Sequence, residues 1–167
     1  MADEPATVGP KLFNSKLEAG LRALAILDAF YPRCLDLNEM SLFDYFVVHS
    51  RDVGGPVSLH PELASRTGEY LIRRRLVEDG IKLMYRAHLI RLRNEESGVK
   101  FQASDEASAF LDLMEKPYNG RLKKCARWLA DESAKKIDGE FERFLRQSID
   151  KWTVEFEDGG GPSGPTK

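Results

Sequence analysis

The sequence predicts a mainly α-helical fold with a small β-hairpin, arranged as a winged-helix-like domain with a C-terminal helical extension. Three observations carry that prediction. Apolar residues recur at helical spacing in three segments ahead of residue 88, alternate with polar ones from 90 to 103, and return to helical spacing beyond 105. Three helices, a hairpin and further helices is the order of a winged helix with an appended helical unit. At 167 residues the chain has room for one such domain and its extension, and not for a second full domain. The expected divisions are a flexible tail over 1–12, the winged-helix-like domain over 13–116, C-terminal helices over 117–155 and a disordered, glycine-rich tail over 156–167.

The first helix is expected from about 15 to 31, because Ser15 is a good N-cap and Glu18 can complete a capping box. Leu17, Leu21, Leu24 and Leu27 repeat at helical spacing, and Pro32 ends the segment. Asp36 and Glu39 repeat the start signal, and Leu37, Met40, Phe43, Phe46 and Val47 form the apolar face of a second helix running to about His49. Arg51 to Pro61, RDVGGPVSLHP, excludes regular structure and is the longest internal loop, a kind that often carries function. Thr67 is placed to cap a third helical region, in which Ile72, Leu76, Leu83 and Ala87 share a side with Gly80. That glycine either admits a neighbouring helix at close range or divides the region in two.

In the hairpin, Ile90 and Leu92 face one way and Arg91 and Arg93 the other, with Val99, Phe101 and Ala103 mirroring them after a turn at Asn94 to Gly98. A lone hairpin is marginal in water, so its apolar face must pack on the helices. Asp105 starts a further helix carrying Ala109, Phe110, Leu113 and Met114. Pro117 suits the first turn of the next, with Leu122, Cys125, Ala126 and Leu129 inward. A last amphipathic helix is expected over about 134–152, with Ile137, Phe141, Phe144, Leu145, Ile149 and Trp152 on its apolar side.

Composition excludes several classes of function. A hydrophobic share of 42% with 31% charged residues belongs to an ordinary globular chain. The uncharged apolar run Ala23 to Leu27, closed by Asp28, falls far short of the roughly 20 residues that span a bilayer. The acidic N-terminus lacks the features of a secretory signal, and Cys34 and Cys125 stand alone, so a cytoplasmic protein with two free thiols is expected. A net charge of −2 offers no whole-molecule attraction to nucleic acid.

Asp44, His49, Asp52, His60 and Glu62 could in principle supply acid, base or metal ligands, as in a metal-dependent hydrolase. Their spacing matches no metal or nuclease motif, and turn and cap roles explain them. The Gly54–Gly55 pair lacks the lysine and hydroxyl residue of a P-loop, and Ser58 lies outside any nucleophile elbow. No catalytic residue, metal or cofactor is therefore expected. The charge asymmetry is central: eight basic residues against three acids lie between Arg66 and Arg93. Arg75, Lys82 and Arg86 fall on one stripe if the helix is continuous, as a phosphate-contacting recognition helix would need. Glu95 and Glu96 in the hairpin turn speak against DNA there. The candidate contact residues, for a partner or for phosphate, are Arg73, Arg74, Arg75, Lys82 and Arg86 by charge, and Asp52, Gly55, Pro56, His60 and Pro61 by loop shape. Tyr31, Phe43, Tyr45, Phe46, Tyr70 and Tyr85 add the aromatic content that interfaces enrich, although core packing explains any one of them.

The segments FNSKLEAGLRALAILDAFYP (Phe13 to Pro32), FDYFVVHSRDVGGPVSLHPEL (Phe43 to Leu63) and GEYLIRRRLVEDGIKLMYRAHLIRL (Gly68 to Leu92) resemble the second type of middle component of ABC three-component, Lamassu-type bacterial antiphage defence systems. The resemblance covers about residues 12–130, and F-N-S-x-L-E-A-G-L-R and H-S-x-D-x-x-G-P-x-S-L-H-P are its most specific pieces. It implies a non-catalytic adaptor bridging an SMC/Rad50-like ABC ATPase and an effector such as a nuclease, with room for non-specific DNA contact inside the complex. Gly120 departs from the helix formers usual in that family, and the helix beyond 131 with its glycine tail is particular to this chain. The alternative reading is a winged-helix DNA-binding transcription regulator.

Overall fold

The computed structural model describes residues 15–60 and 66–158, with side chains over 15–60 and 72–151. Expectations for the tail over 1–12, for Pro61 and Glu62, for the side chains of Tyr70 and Trp152 and for the last residues of the C-terminal tail lie outside the described residues. Helix α1 (Lys16–Phe30) begins where the Ser15 hydroxyl accepts the Glu18 amide at 3.2 Å. Helix α2 (Leu37–Val48) begins with the full capping box: the Asp36 carboxylate accepts the Glu39 amide at 2.8 Å and the Glu39 carboxylate accepts the Asp36 amide at 2.9 Å. Every residue of α2 from Met40 to Val48 is buried. A helix buried on all sides is a core helix rather than an amphipathic surface one, and α2 is enclosed by α1, α3, α5 and α6.

Helix α3 (Arg66–Arg86) is continuous through Gly80 and already includes Arg66, one residue ahead of the expected cap at Thr67. Of the two roles open to the glycine, close approach is the one realised. A Cβ on Gly80 would sit 2.5 Å from the Gly20 amide nitrogen and 2.8 Å from the Ala19 carbonyl carbon, so the backbones of α1 and α3 meet there. This crossing overturns the expected inward side of α3. Arg73, Val77, Gly80, Ile81 and Met84 point inward, Leu76 is half-buried and Ile72, Leu83 and Ala87 are exposed: Gly80 stands at the edge of the expected side, and it is the residues on its other flank, Arg73, Val77, Ile81 and Met84, that are buried with it.

Strands β1 (Ile90–Glu95) and β2 (Gly98–Ala103) pair antiparallel in the register Ile90↔Ala103, Leu92↔Phe101, Asn94↔Val99, which puts the expected apolar residues on one face. The turn is shorter than expected, since Glu95 still pairs with Gly98. Leu35, between α1 and α2, exchanges backbone hydrogen bonds of 2.8 and 3.0 Å with Phe101 and acts as a one-residue third strand. The order helix, strand, helix, helix, strand, strand is compatible with a winged-helix arrangement.

Helix α4 (Ala107–Asp112) is short and buries Ala107 and Leu111; Leu113 and Ala109, expected inward, are exposed. Asp105 does not cap it but pairs with Arg91 at 2.7 Å. Helix α5 (Pro117–Lys135) carries Pro117 in its first turn and buries Leu122, Cys125, Ala126 and Leu129. Because α5 runs on to Lys135 and the chain turns at Gly139 with a φ of +77°, the last helix, α6 (Glu140–Asp158), starts later than expected and leaves Ile137 exposed between them. Phe141, Leu145 and Ile149 of α6 join the same buried cluster as the residues of α1, α2 and α3. Arg33 fastens this end of the molecule, holding Glu39 at 2.8 Å and Glu142 at 2.9 Å.

Gly80→Ala is expected to lower stability by at least about 1–3 kcal/mol, since neither backbone can yield locally. Gly120→Ala, with nothing within 4 Å of its added carbon, is expected to raise stability by about 0.5–1 kcal/mol. Thermal denaturation of the two variants beside the parent checks both signs.

Candidate functional site

Asp44 is the one acid in the apolar run Leu42 to Val48, and it is fully buried at the centre of the fold. Its Oδ1 accepts the Arg22 Nε–H of α1 at 2.7 Å, and its Oδ2 accepts the Arg73 Nε–H of α3 at 2.9 Å. Burial pushes the Asp44 carboxyl upward, and the two guanidiniums overcome that, holding it below the ordinary aspartate value. Three charged groups on three helices thus form a shared interior pairing. Arg73, expected among the surface contact residues, is 3% exposed and belongs to this pairing instead. The physical reason is the crossing of α1 and α3, which turns Arg73 inward together with Gly80.

The loop after α2 folds back onto its end. A 3₁₀ turn over Ser50–Val53 leads to Gly54, and the amides of Leu59 and His60 donate to the Val48 carbonyl at 2.9 and 3.2 Å. The Ser50 hydroxyl donates to the Pro56 carbonyl at 2.9 Å and lies 3.7 Å from the Cys125 sulfur. A Cβ on Gly55 would stand 2.7 Å from the Trp128 ring, so the loop lies directly on α5. His49 is buried, and the His60 ring reaches the Tyr118 hydroxyl at 3.1 Å. Burial raises the Tyr118 phenol and, against the Ser50 hydrogen bond, the Cys125 thiol, so both keep their protons at neutral pH. Asp52 and Pro56 are half-buried. Among the described residues no group of three or more His, Cys, Asp or Glu is placed to hold a metal.

The remaining basic residues of α3 lie outside the buried pairing. Arg74 donates to the Asn38 side-chain oxygen at 2.5 Å. Arg75, Lys82 and Arg86 are exposed on α3, with Lys82 paired to Glu78 at 3.2 Å. Lys82 and Arg86 lie roughly 14 and 20 Å beyond Arg73 along the helix axis. Of the aromatic set, Phe43, Tyr45 and Phe46 are core, whereas Tyr31 and Tyr85 are exposed.

Sequence reasoning missed Arg22 altogether and placed Asp44 only in a loose acid and histidine cluster. An acid inside LFDYFVV, with an arginine flanked by Ala19, Ala23 and Ile26 on α1, was the available signal for a buried charge.

A family model described as ABC-three component (ABC-3C) system Middle Component 2 matches residues 12–155, so the likeness does not stop near residue 130, and the helix beyond 131, expected to be particular to this chain, falls within it. No curated protein and no solved structure matches the chain.

Asp44→Asn is expected to destabilise the fold by about 3–5 kcal/mol, because it removes the buried negative charge that both guanidiniums face. A carboxyl whose folded pKa lies below its unfolded value of about 3.9 adds stability above that pH and loses it as pH falls through the folded value. Denaturant titrations from pH 7 to pH 2 are thus expected to show a steep acid limb in the parent that is shallower in Asp44→Asn.

Proposed function

We propose a function starting from the family to which the chain belongs, the Middle Component 2 family of ABC three-component defence systems. The protein is a non-catalytic adaptor of a Lamassu-type antiviral complex, joining an SMC/Rad50-like ABC ATPase to an effector such as a nuclease. It holds the effector inactive against the ATPase until foreign or broken DNA is sensed, and it works in the cytoplasm. The observation that carries this reading is the family match across residues 12–155.

The side chains support it. The charged groups best able to do chemistry are spent on one another inside the protein, as in Arg22–Asp44–Arg73. The buried thiol and phenol are held protonated. What faces outward is helix and hairpin surface suited to docking. Among the described residues no helix is long and apolar enough to cross a membrane.

Exposure of Arg75, Lys82 and Arg86 on α3 favours a second reading, a winged-helix transcription regulator that meets phosphates along this helix. Glu95 and Glu96 at the exposed hairpin tip oppose it, since a wing next to phosphates needs neutral or basic residues.

Co-expression with the ATPase and effector encoded beside it is expected to yield one stable complex by size-exclusion chromatography with light scattering. A chain that elutes alone in the presence of both defeats the adaptor reading. Nanomolar, sequence-dependent binding of operon-promoter DNA by the isolated protein, read by fluorescence anisotropy, favours the regulator instead.

A further inference from the structure

We propose that the outer edge of β1 is a strand-addition site for an extended acidic segment of a partner protein. Both backbone groups of Phe101 are turned toward Leu35, with the Phe101 amide donating at 2.8 Å and its carbonyl accepting at 3.0 Å. In an antiparallel pair a residue's N–H and C=O share one direction, and residues directly opposite either exchange both bonds or turn both away. Phe101 therefore turns away from β1, and Leu92, opposite it, turns its own N–H and C=O away from β2 over the free edge. By the same alternation Ile90 and Asn94 present theirs outward, while Arg91, Arg93 and Glu95 bond to β2. Among the described residues none pairs with this edge.

Exposed edges are usually closed by a bulge, a proline or a covering element, or guarded by charged side chains, and of these β1 has only the charges. The six-pair register of the hairpin has no bulge, and β1 has no proline. A cleft of about 510 Å³ runs along it instead, between the strand and the last turn of α3. Three arginines line the cleft, Arg86, Arg91 and Arg93, against the single acid Glu106. Arg91 also holds Asp105 at 2.7 Å, but that pair is exposed and easily exchanged for a partner carboxylate. Among the described residues Arg93 is held by the neutral Gln102 side-chain oxygen, at 3.1 and 3.2 Å. These cations repel a basic strand and admit an acidic one, so charge makes the edge selective.

The two faces of β1 differ, which defines the occupant further. Arg91 and Arg93 project on one side, and on the other Leu92 and the neighbouring Tyr85 are 41% and 47% exposed. An added strand places alternate side chains on the two faces. The segment that fits is therefore an alternation of acidic and apolar residues about five or more long. Nucleic acid fits less well: phosphates only accept hydrogen bonds and leave the outward carbonyls of the edge without donors.

The inference deepens the adaptor reading and shares with it only the premise that the partner is a protein. Its test uses the full chain and a fluorescein-labelled peptide of about nine residues alternating glutamate and valine, followed by anisotropy. Saturable binding is expected, lost when lysine replaces glutamate and weakened about tenfold or more in Arg91→Glu/Arg93→Glu. Backbone N-methylation then separates strand addition from charge attraction without touching the fold. Methylating one alternate set of residues is expected to abolish binding while methylating the other is tolerated, the sensitive set being the valines for antiparallel addition and the glutamates for parallel. Absence of binding, or equal binding by the two methylated peptides, overturns the proposal, as does displacement of the peptide by a 20-base-pair duplex at equal concentration. A negative result beside intact copurification with the ATPase and effector removes strand addition and leaves the adaptor standing.

Discussion

The pairing of Asp44 with Arg22 and Arg73 is the constraint around which the fold is organised. Each member comes from a different helix, and each is almost wholly removed from water. Burying a charge carries a desolvation cost of several kcal/mol, offset only when its partners stand in good geometry. Shifting α1, α2 or α3 would separate these charges inside the core, so the pairing favours their observed placement. Its net contribution to stability is modest, because the same interior filled with apolar side chains would avoid the desolvation.

That placement is made sterically feasible by Gly20 and Gly80. With side chains at these positions the axes of α1 and α3 would be pushed apart, and Arg22 and Arg73 could not both reach the two oxygens of one carboxylate. Rotation of α3 follows. Turning Gly80 and Arg73 inward sends Arg75, Lys82 and Arg86 outward, along with Ile72 and Leu83. The exposed charge on α3 and its exposed apolar residues are consequences of one packing decision, made at the crossing.

The loop over residues 50–60 and helices α5 and α6 complete the interior from the other side. Gly55 lies under Trp128, Ser50 beside Cys125 and His60 against Tyr118, so the residues with the most tempting chemistry act as a clasp on the end of α2. The Middle Component 2 match runs through this region as well as through α1 to β2. Among the described residues Arg75, Lys82 and Arg86 on α3 and the outer edge of β1 stay open to solvent.

Much of the architecture could be read directly from the sequence. Helix starts at Ser15 and Asp36, the first turn at Pro117, the inward row Leu122, Cys125, Ala126 and Leu129, and the alternation from Ile90 to Ala103 are local signals, set by capping chemistry and by side-chain period. The family motifs around Phe13 to Leu92 were equally plain. Periodicity says that a helix has an inner side but does not say which residues that side must include when a glycine crossing and a buried arginine compete with isolated leucines and isoleucines. The rotation of α3, the burial of Arg73 and the one-residue strand at Leu35 were decided only in three dimensions. Each depends on residues brought together from distant parts of the chain, and no local pattern encodes that proximity.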